Sequence, residues 1–304
     1  MATLRDIQRR IRSVQSTQKI TRAMKLVAAA KLRCAQERIT EARPYAFKMA
    51  ELLGSLVART EEGAHPLLSR REKGQRRLVI ITADKGLCGA FNANILRESL
   101  RLLRETEQPS VTLVVVGKKA RDFYRRREWT VKSEMLGFFD RLAYSHAQEL
   151  AGQLMQAYLA EETDEVHLIY NEFRSVAVQR VKRERLLPLE ATQPDIAALA
   201  AEYIYEPSTA AILASLLPRH VTTQVYRALM ESLAGEYGAR MTAMEAATKN
   251  AKEMIDLLTI QYNKARQEKI TKELLRIGRG GLLKPIRHSM QPSVAQSKMR
   301  SIVL

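Results

Sequence analysis

Lys19-Ile20-Thr21-Arg22-Ala23-Met24-Lys25-Leu26-Val27-Ala28-Ala29-Ala30-Lys31-Leu32 is the stretch that decides the fold. It contains neither glycine nor proline, and it sits inside a ladder of alternating three- and four-residue steps. The ladder reads Leu4, Ile7, Ile11, Val14, Gln18, Thr21, Lys25, Ala28, Leu32, Ala35, Ile39, Ala42, Ala46, Met49, Leu53 and Leu56, apolar at all but Gln18, Thr21 and Lys25. A period near 3.5 sustained this far predicts one long helix with a left-handed supercoil and a packed seam. At ~1.5 Å per residue it would extend roughly 80 Å, too long to lie inside one small domain. Pro44 removes a backbone donor and is expected to bend or locally break it.

The far end of the chain mirrors this. A second ladder runs through Tyr226, Met230, Leu233, Tyr237, Arg240, Met244, Ala247, Ala251, Met254, Leu258, Gln261, Ala265, Glu268, Lys272 and Leu275, without proline or glycine between Gly238 and Gly278. Two long helices at opposite ends of one chain are natural partners in an antiparallel coiled coil. Ala28, Ala35, Ala247 and Ala251 permit close approach along its seam. The polar interruptions have two readings. Polar seam residues fix register in coiled coils, and their clustering near the helix ends also suits a surface that meets a third partner.

The middle obeys a different period. Leu78–Thr82, Val111–Val116, Val131–Met135, Val166–Tyr170 and Val176–Val181 read as short strands, with helical spacing over Asn92–Glu107 and Ser145–Leu159. Alternation of strand and helix predicts a mostly parallel sheet. The fold class is therefore α/β, a long antiparallel coiled coil of N- and C-terminal helices with an inserted α/β domain. The expected divisions are a coiled-coil helix (1–58), a linker (59–75), the α/β domain (76–218), a second coiled-coil helix (219–277) and a tail (278–304). Glu202–Pro207, with its two tyrosines and an acid, is expected to precede a short helix. The glycines Gly278, Gly280 and Gly281 are expected to end the long one, leaving a basic, disordered tail.

Composition narrows the function. A net charge of +17 over 304 residues predicts an acidic partner: nucleic acid, an anionic membrane surface or an acidic protein. Aromatic residues, at 6%, are too sparse to favour base stacking. Cys34 and Cys88 are too few for a disulfide framework, and the five histidines show no metal-ligand spacing. No apolar run approaches the ~18 residues of a membrane span, and no signal-peptide pattern is visible. The expectation is a soluble chain, or one attached to a membrane through partners.

No catalytic, cofactor or metal constellation is apparent. Gly117-Lys118-Lys119 lacks the flanking residues of a P-loop. Asp84-Lys85-Gly86-Leu87-Cys88-Gly89-Ala90-Phe91-Asn92 joins a strand to a helix, and its glycines suit either an anion at the helix N-terminus or a tight turn over a buried Cys88. Without GxGxxG spacing the turn is favoured.

Five segments in series carry a family resemblance. Lys19 to Leu32 resembles the N-terminal signature of ATP synthase gamma subunits, and Ala239-Arg240-Met241-Thr242-Ala243-Met244-Glu245-Ala246-Ala247-Thr248-Lys249-Asn250-Ala251 resembles the C-terminal helix motif. Tyr262-Asn263-Lys264-Ala265-Arg266-Gln267 with Ile270-Thr271-Lys272-Glu273-Leu274 is similar to its continuation. The loop Asp84 to Asn92 and Tyr203-Ile204-Tyr205-Glu206-Pro207 also fit.

The resemblance implies a non-catalytic central rotor shaft, without cofactor or bound nucleic acid. It would couple rotation of the membrane c-ring to the catalytic beta subunits. It implies beta-subunit contacts by Arg22, Met24, Lys25, Arg240, Arg266, Gln267 and Thr271, and c-ring or foot contacts by Lys31, Tyr203, Tyr205 and Glu206. The implied partners are the alpha and beta subunits of the hexamer, the epsilon subunit on the α/β domain and the c-ring, with one copy of the chain per complex. The chloroplast family's inserted cysteine pair is absent, as is a transit peptide. These absences imply a bacterial source and a place on the cytoplasmic face of the plasma membrane. The alternative, a basic coiled-coil nucleic-acid-binding or adaptor protein, would concentrate Lys and Arg in one region, whereas here they are spread along the chain.

Overall fold

A computed structural model describes residues 3–58, 65–71, 74–105, 111–176, 178–189 and 208–281. The chain divides into two compact units, residues 1–15 with 252–304, and residues 16–251. Two long helices, α1 (Leu4–Ala58) and α5 (Thr209–Gly281), contribute to both.

In the first unit α1 begins at a reciprocal cap: the Thr3 amide donates to Asp6 Oδ2 at 3.0 Å and the Asp6 amide to Thr3 Oγ1 at 3.3 Å. Leu4, Ile7, Ile11 and Val14 of the ladder are buried or half-buried. On α5 the half-buried positions of this unit are Ile255, Leu258, Tyr262 and Ala265. Met254 and Gln261, expected on the seam, are exposed. A helix of 3.6 residues per turn drifts from a 3.5 repeat, and here a four-residue step from Ala251 to Ile255 resets the phase. Beyond Ala265 the expected seam positions Glu268, Lys272 and Leu275 are all exposed.

In the second unit the ladder of α1 holds throughout. Gln18 to Leu56 are buried or half-buried at every step, the polar Gln18, Thr21 and Lys25 included. Pro44 lies inside α1, which continues through it, so the expected local break does not occur. Pro218 likewise lies inside α5. A proline withdraws one intrahelical bond, and the buried faces on both sides outweigh that loss. The expected short helix after Pro207 is instead the first part of α5, capped by Ser208, whose Oγ accepts from the Ala211 amide at 3.2 Å. At the other end α5 runs through Gly278 and Gly280 to Gly281. Residues 282–304, most of the expected tail, lie outside the described residues.

Between the long helices come β1 (Arg76–Ile81), α2 (Phe91–Glu105), β2 (Val111–Val116), α3 (Lys118–Tyr124), β3 (Val131–Met135), α4 (Tyr144–Leu159), β4 (Glu165–Phe173) and β5 (Gln179–Leu187). They build a five-stranded sheet of order β3-β2-β1-β4-β5, parallel except for β5, which pairs antiparallel with β4 at one edge. Alternation along β1 separates two cores. Leu78 and Ile80 face α2 with Ile95, Leu103 and Ile169, while Val79 and Ile81 face Leu150, Leu154, Leu229 and Leu233 of α4 and α5. Helices on both faces explain why the central strands are unbroken apolar runs. The long helix α5 is thus a structural layer of the domain before it becomes half of the coiled coil.

The fifth strand departs from expectation. The apolar run Val176–Val181 predicts it, yet the strand is Gln179–Leu187, mostly charged. An edge strand is specified by backbone pairing with its single neighbour, and charge on an edge guards against further pairing.

Candidate functional site

Within the second unit α1 and α5 run antiparallel, and their polar seam residues meet one another. Thr21 and Thr248 face each other with hydroxyl oxygens 2.8 Å apart, and Thr248 also donates to the Met244 carbonyl at 2.7 Å. Four residues on, Lys25 Nζ reaches Glu245 Oε1 at 2.6 Å. These pairs fix the register of the two helices, one of the two roles open to polar seam residues. Lys25 and Glu245 retain much of their solvent exposure, so their pair contributes at most ~1 kcal/mol.

Where the helices reach the α/β domain they leave a cleft of about 380 Å³. Ile20, Met24, Val27 and Tyr237 form its apolar wall, and its floor is charged. Asp140, from a 3-10 turn after β3, accepts from Lys31 of α1 at 2.9 Å and from Lys85 of the β1–α2 loop at 2.6 Å. Those two hydrogen bonds hold its carboxyl down to about 2. Arg240 donates to Glu236 Oε1 at 2.6 Å and to the Gly86 carbonyl at 3.2 Å. Glu236 is only 5% exposed, and burial pushes its carboxyl up although Arg240 opposes the shift. The outward face of α1 here mixes apolar and basic side chains: Ile20, Leu26 and Val27 are all more than half exposed, and Lys19 and Arg22 are exposed beside them.

The loop Asp84–Asn92 turns its polar groups inward. Asp84 Oδ1 accepts from the Lys118 amide at 3.0 Å and the Gly137 amide at 3.2 Å, and Asn92 Oδ1 accepts from the Ala83 amide at 2.9 Å. Cys88 is buried. Asp84 thus caps α3, while at the start of α2 the Phe91 amide donates to the Cys88 carbonyl at 3.2 Å and Gly89 takes φ +57, as a tight turn over a buried Cys88 requires. Just before α3, Gly117 has φ +92, and a Cβ there would sit 2.2 Å from the Thr82 carbonyl oxygen; only glycine lets β1 and β2 end this close together.

Of the residues singled out by sequence, Met24, Lys31 and Arg240 gather at this cleft, Lys25 lies one turn away on the seam, and Arg22 is exposed nearby on α1. Arg240 is 9% exposed and engaged inside the chain. Arg266, Gln267 and Thr271 are exposed on α5 in the first unit. Tyr203, Tyr205 and Glu206 lie outside the described residues. Asp140 and Glu236 were missed by sequence reasoning, and Lys85 was read only as part of the Asp84–Asn92 turn. Asp140 lies 109 residues from Lys31 and 55 from Lys85, and no local pattern marks it. Among the described residues no cluster of His, Cys, Asp and Glu suits a metal ion, and no helix is long and apolar enough to cross a membrane.

Comparison with known proteins places this arrangement. A family model described as ATP synthase matches residues 3–281. The ATP synthase gamma chain of Moorella thermoacetica is 50% identical over 280 residues, covering 92% of this chain and 98% of that protein. That of Desulforamulus reducens is 48% identical over 277 residues, covering 91% and 97%. Among solved structures, the central stalk and c-ring of the Tetrahymena thermophila mitochondrial ATP synthase contains a chain 29% identical, with TM-score 0.58, covering 75% of this chain and 99% of that one. A chain of the Euglena gracilis mitochondrial enzyme, 20% identical, shares the fold with TM-score 0.63 over 95% of this chain and 98% of its own.

Proposed function

This chain belongs to the ATP synthase gamma-chain family, and on that premise we propose that it is the central rotor shaft of a rotary ATP synthase. It couples ion-driven turning of the c-ring to conformational cycling of the catalytic beta subunits and performs no chemistry itself. The charged groups of the cleft are engaged with one another instead of being arrayed around a reacting centre.

The observation that carries this reading is the contrast between the two sides of the helices. Their seam is closed by Ala28, Leu32, Thr21–Thr248 and Lys25–Glu245, while apolar side chains remain on their outer faces. On α1 these are Ile20, Leu26 and Val27; on α5 in the first unit they are Leu257, Ile260, Leu274 and Ile277, each more than half exposed. Apolar surface of this kind suits a sleeve in which a shaft turns. A net charge of +17 suits acidic levers around that shaft.

Arg22, Met24 and Lys25 would meet the beta levers near the cleft, with Arg240 supporting that face from behind. Arg266, Gln267 and Thr271 would contact a beta subunit farther along α5. Driving a two-state site from mostly one form to mostly the other takes about 5.5 kcal/mol of differential contact. A few charge-assisted hydrogen bonds at ~1.5–3 kcal/mol each are of that order. Lys31, Tyr203, Tyr205 and Glu206 would belong to the foot on the c-ring. The epsilon subunit would dock on the α/β domain, and one copy of the chain would serve each complex on the cytoplasmic face of a bacterial plasma membrane.

The test is reconstitution. Tagged chain should co-purify with alpha and beta subunits, and adding it to complexes that lack it should restore coupled ATP synthesis. Failure of both would overturn the reading.

A further inference from the structure

The loop Asp84–Asn92 is tied to both long helices at neighbouring positions. Lys85 shares the Asp140 carboxylate with Lys31 of α1, at 2.6 and 2.9 Å. The next residue, Gly86, gives its carbonyl to Arg240 of α5 at 3.2 Å, and Glu236 Oε1 accepts from the same Nη2 at 2.6 Å. Gly89, with φ +57, brings the same loop against α5, where its added Cβ would lie 3.8 Å from that of Ala243. Lys31 also lies 5.5 Å from the Tyr237 ring centroid, so the α1 side of the tie touches α5 as well.

We infer that this loop is the joint through which twist of the α/β domain passes to both helices at once, with Asp140 as its positioning residue. The inference rests on the rotor reading and names a part within it. An isolated exposed ion pair contributes little to stability. A carboxylate shared by two ammonium groups from different elements differs in kind, because it resists sliding of α1 against the domain in more than one direction. The Arg240–Gly86 bond does the same for α5 in a nearly buried setting, where water competes poorly. Asp84 keeps the root of the loop stiff through the amides of Lys118 and Gly137, so load taken up at Lys85 and Gly86 reaches the sheet.

The experiment uses the assembled complex with the hexamer immobilised and an optical probe on the α/β domain. The probe is attached through Lys132→Cys on the exposed edge of β3, with the exposed Cys34 replaced by serine. The readout is the angular spread of the probe while the rotor is stalled, which reports torsional stiffness. Asp140→Asn and Lys31→Met should each widen the spread, and the double variant should be no wider than Asp140→Asn alone. Asp140→Glu should return most of the stiffness. Arg33→Ala, which breaks an ion pair within α1 alone, should leave the spread unchanged. A wild-type spread in Asp140→Asn complexes that still hydrolyse ATP would overturn the joint, as would additive effects of the two substitutions. Where Asp140→Asn fails to assemble, Lys31→Met against Arg33→Ala makes the same comparison. A wild-type complex in which the probe never turns under ATP overturns the rotor reading, and the joint with it.

Discussion

Replacing Arg240 by methionine isolates the chemistry of the buried pair. Arg240 is 9% and Glu236 5% exposed, and the guanidinium stands 2.6 Å from the carboxylate. Methionine keeps much of the side-chain volume and removes the charge. Breaking a buried pair from one side costs about 3–5 kcal/mol, because the remaining charge has no partner. Glu236 can escape part of this by taking a proton. Burial already pushes its carboxyl up, and Arg240 is the first of the groups opposing that rise, so its loss pushes the carboxyl higher still. The folded state then holds a proton that the unfolded chain has released. Stability should therefore fall as pH rises above the ordinary carboxyl value of 4.5, until the folded value is passed. The slope can reach about 1.4 kcal/mol per pH unit for one group. Urea unfolding of the full chain at pH 5 and pH 8, followed by far-UV circular dichroism, should show a larger loss at pH 8. Adding Glu236→Gln should remove the difference between the two pH values. A penalty independent of pH, or a double variant with the same slope, would refute the assignment of cost to an uncompensated Glu236.

Three further outcomes are expected. Gly117→Ala forces a Cβ to 2.2 Å from the Thr82 oxygen at φ +92, so it should cost at least ~1–3 kcal/mol of backbone strain and lower the melting temperature of the chain. The Asp140 carboxyl, depressed by its lysines, contributes above its unfolded value of 3.8 and loses that contribution as pH falls toward about 2; a carboxyl-carbon NMR titration should therefore show it still mostly ionised at pH 3, where a carboxyl at 3.8 would be mostly protonated. Arg266→Ala with Gln267→Ala should lower coupled ATP synthesis more than assembly, and wild-type synthesis by assembled double-variant complexes would remove these residues from the torque path.

What the sequence discloses follows the physics of each part. The seam of α1 is legible from Ile7 to Leu56 because burial against a partner helix selects residues at a fixed period, and even Thr21 and Lys25 keep their place on it. The α5 seam is legible throughout to Ala251 and beyond it only at Leu258 and Ala265, because a four-residue step after Ala251 moves burial from Met254 and Gln261 to Ile255 and Tyr262. Strands β1, β2 and β4 are visible because helices cover both faces of the sheet at its centre. The strand β5 is legible only at its start, up to Val181, because Lys182, Arg183 and Arg185 say nothing about backbone pairing at an edge. The cleft is legible only in part. Met24, Lys31 and Arg240 stand within recognisable segments, while Asp140 joins them only through the path of the chain around the sheet. A carboxylate shared across such separations carries no local periodicity.

The central claim is that the chain turns. In immobilised hexamers carrying this chain, with a probe on Lys132→Cys, ATP should drive sustained rotation in one direction, at a rate that follows hydrolysis. A probe that stays fixed in assembled complexes while ATP is hydrolysed at an undiminished rate would contradict the account.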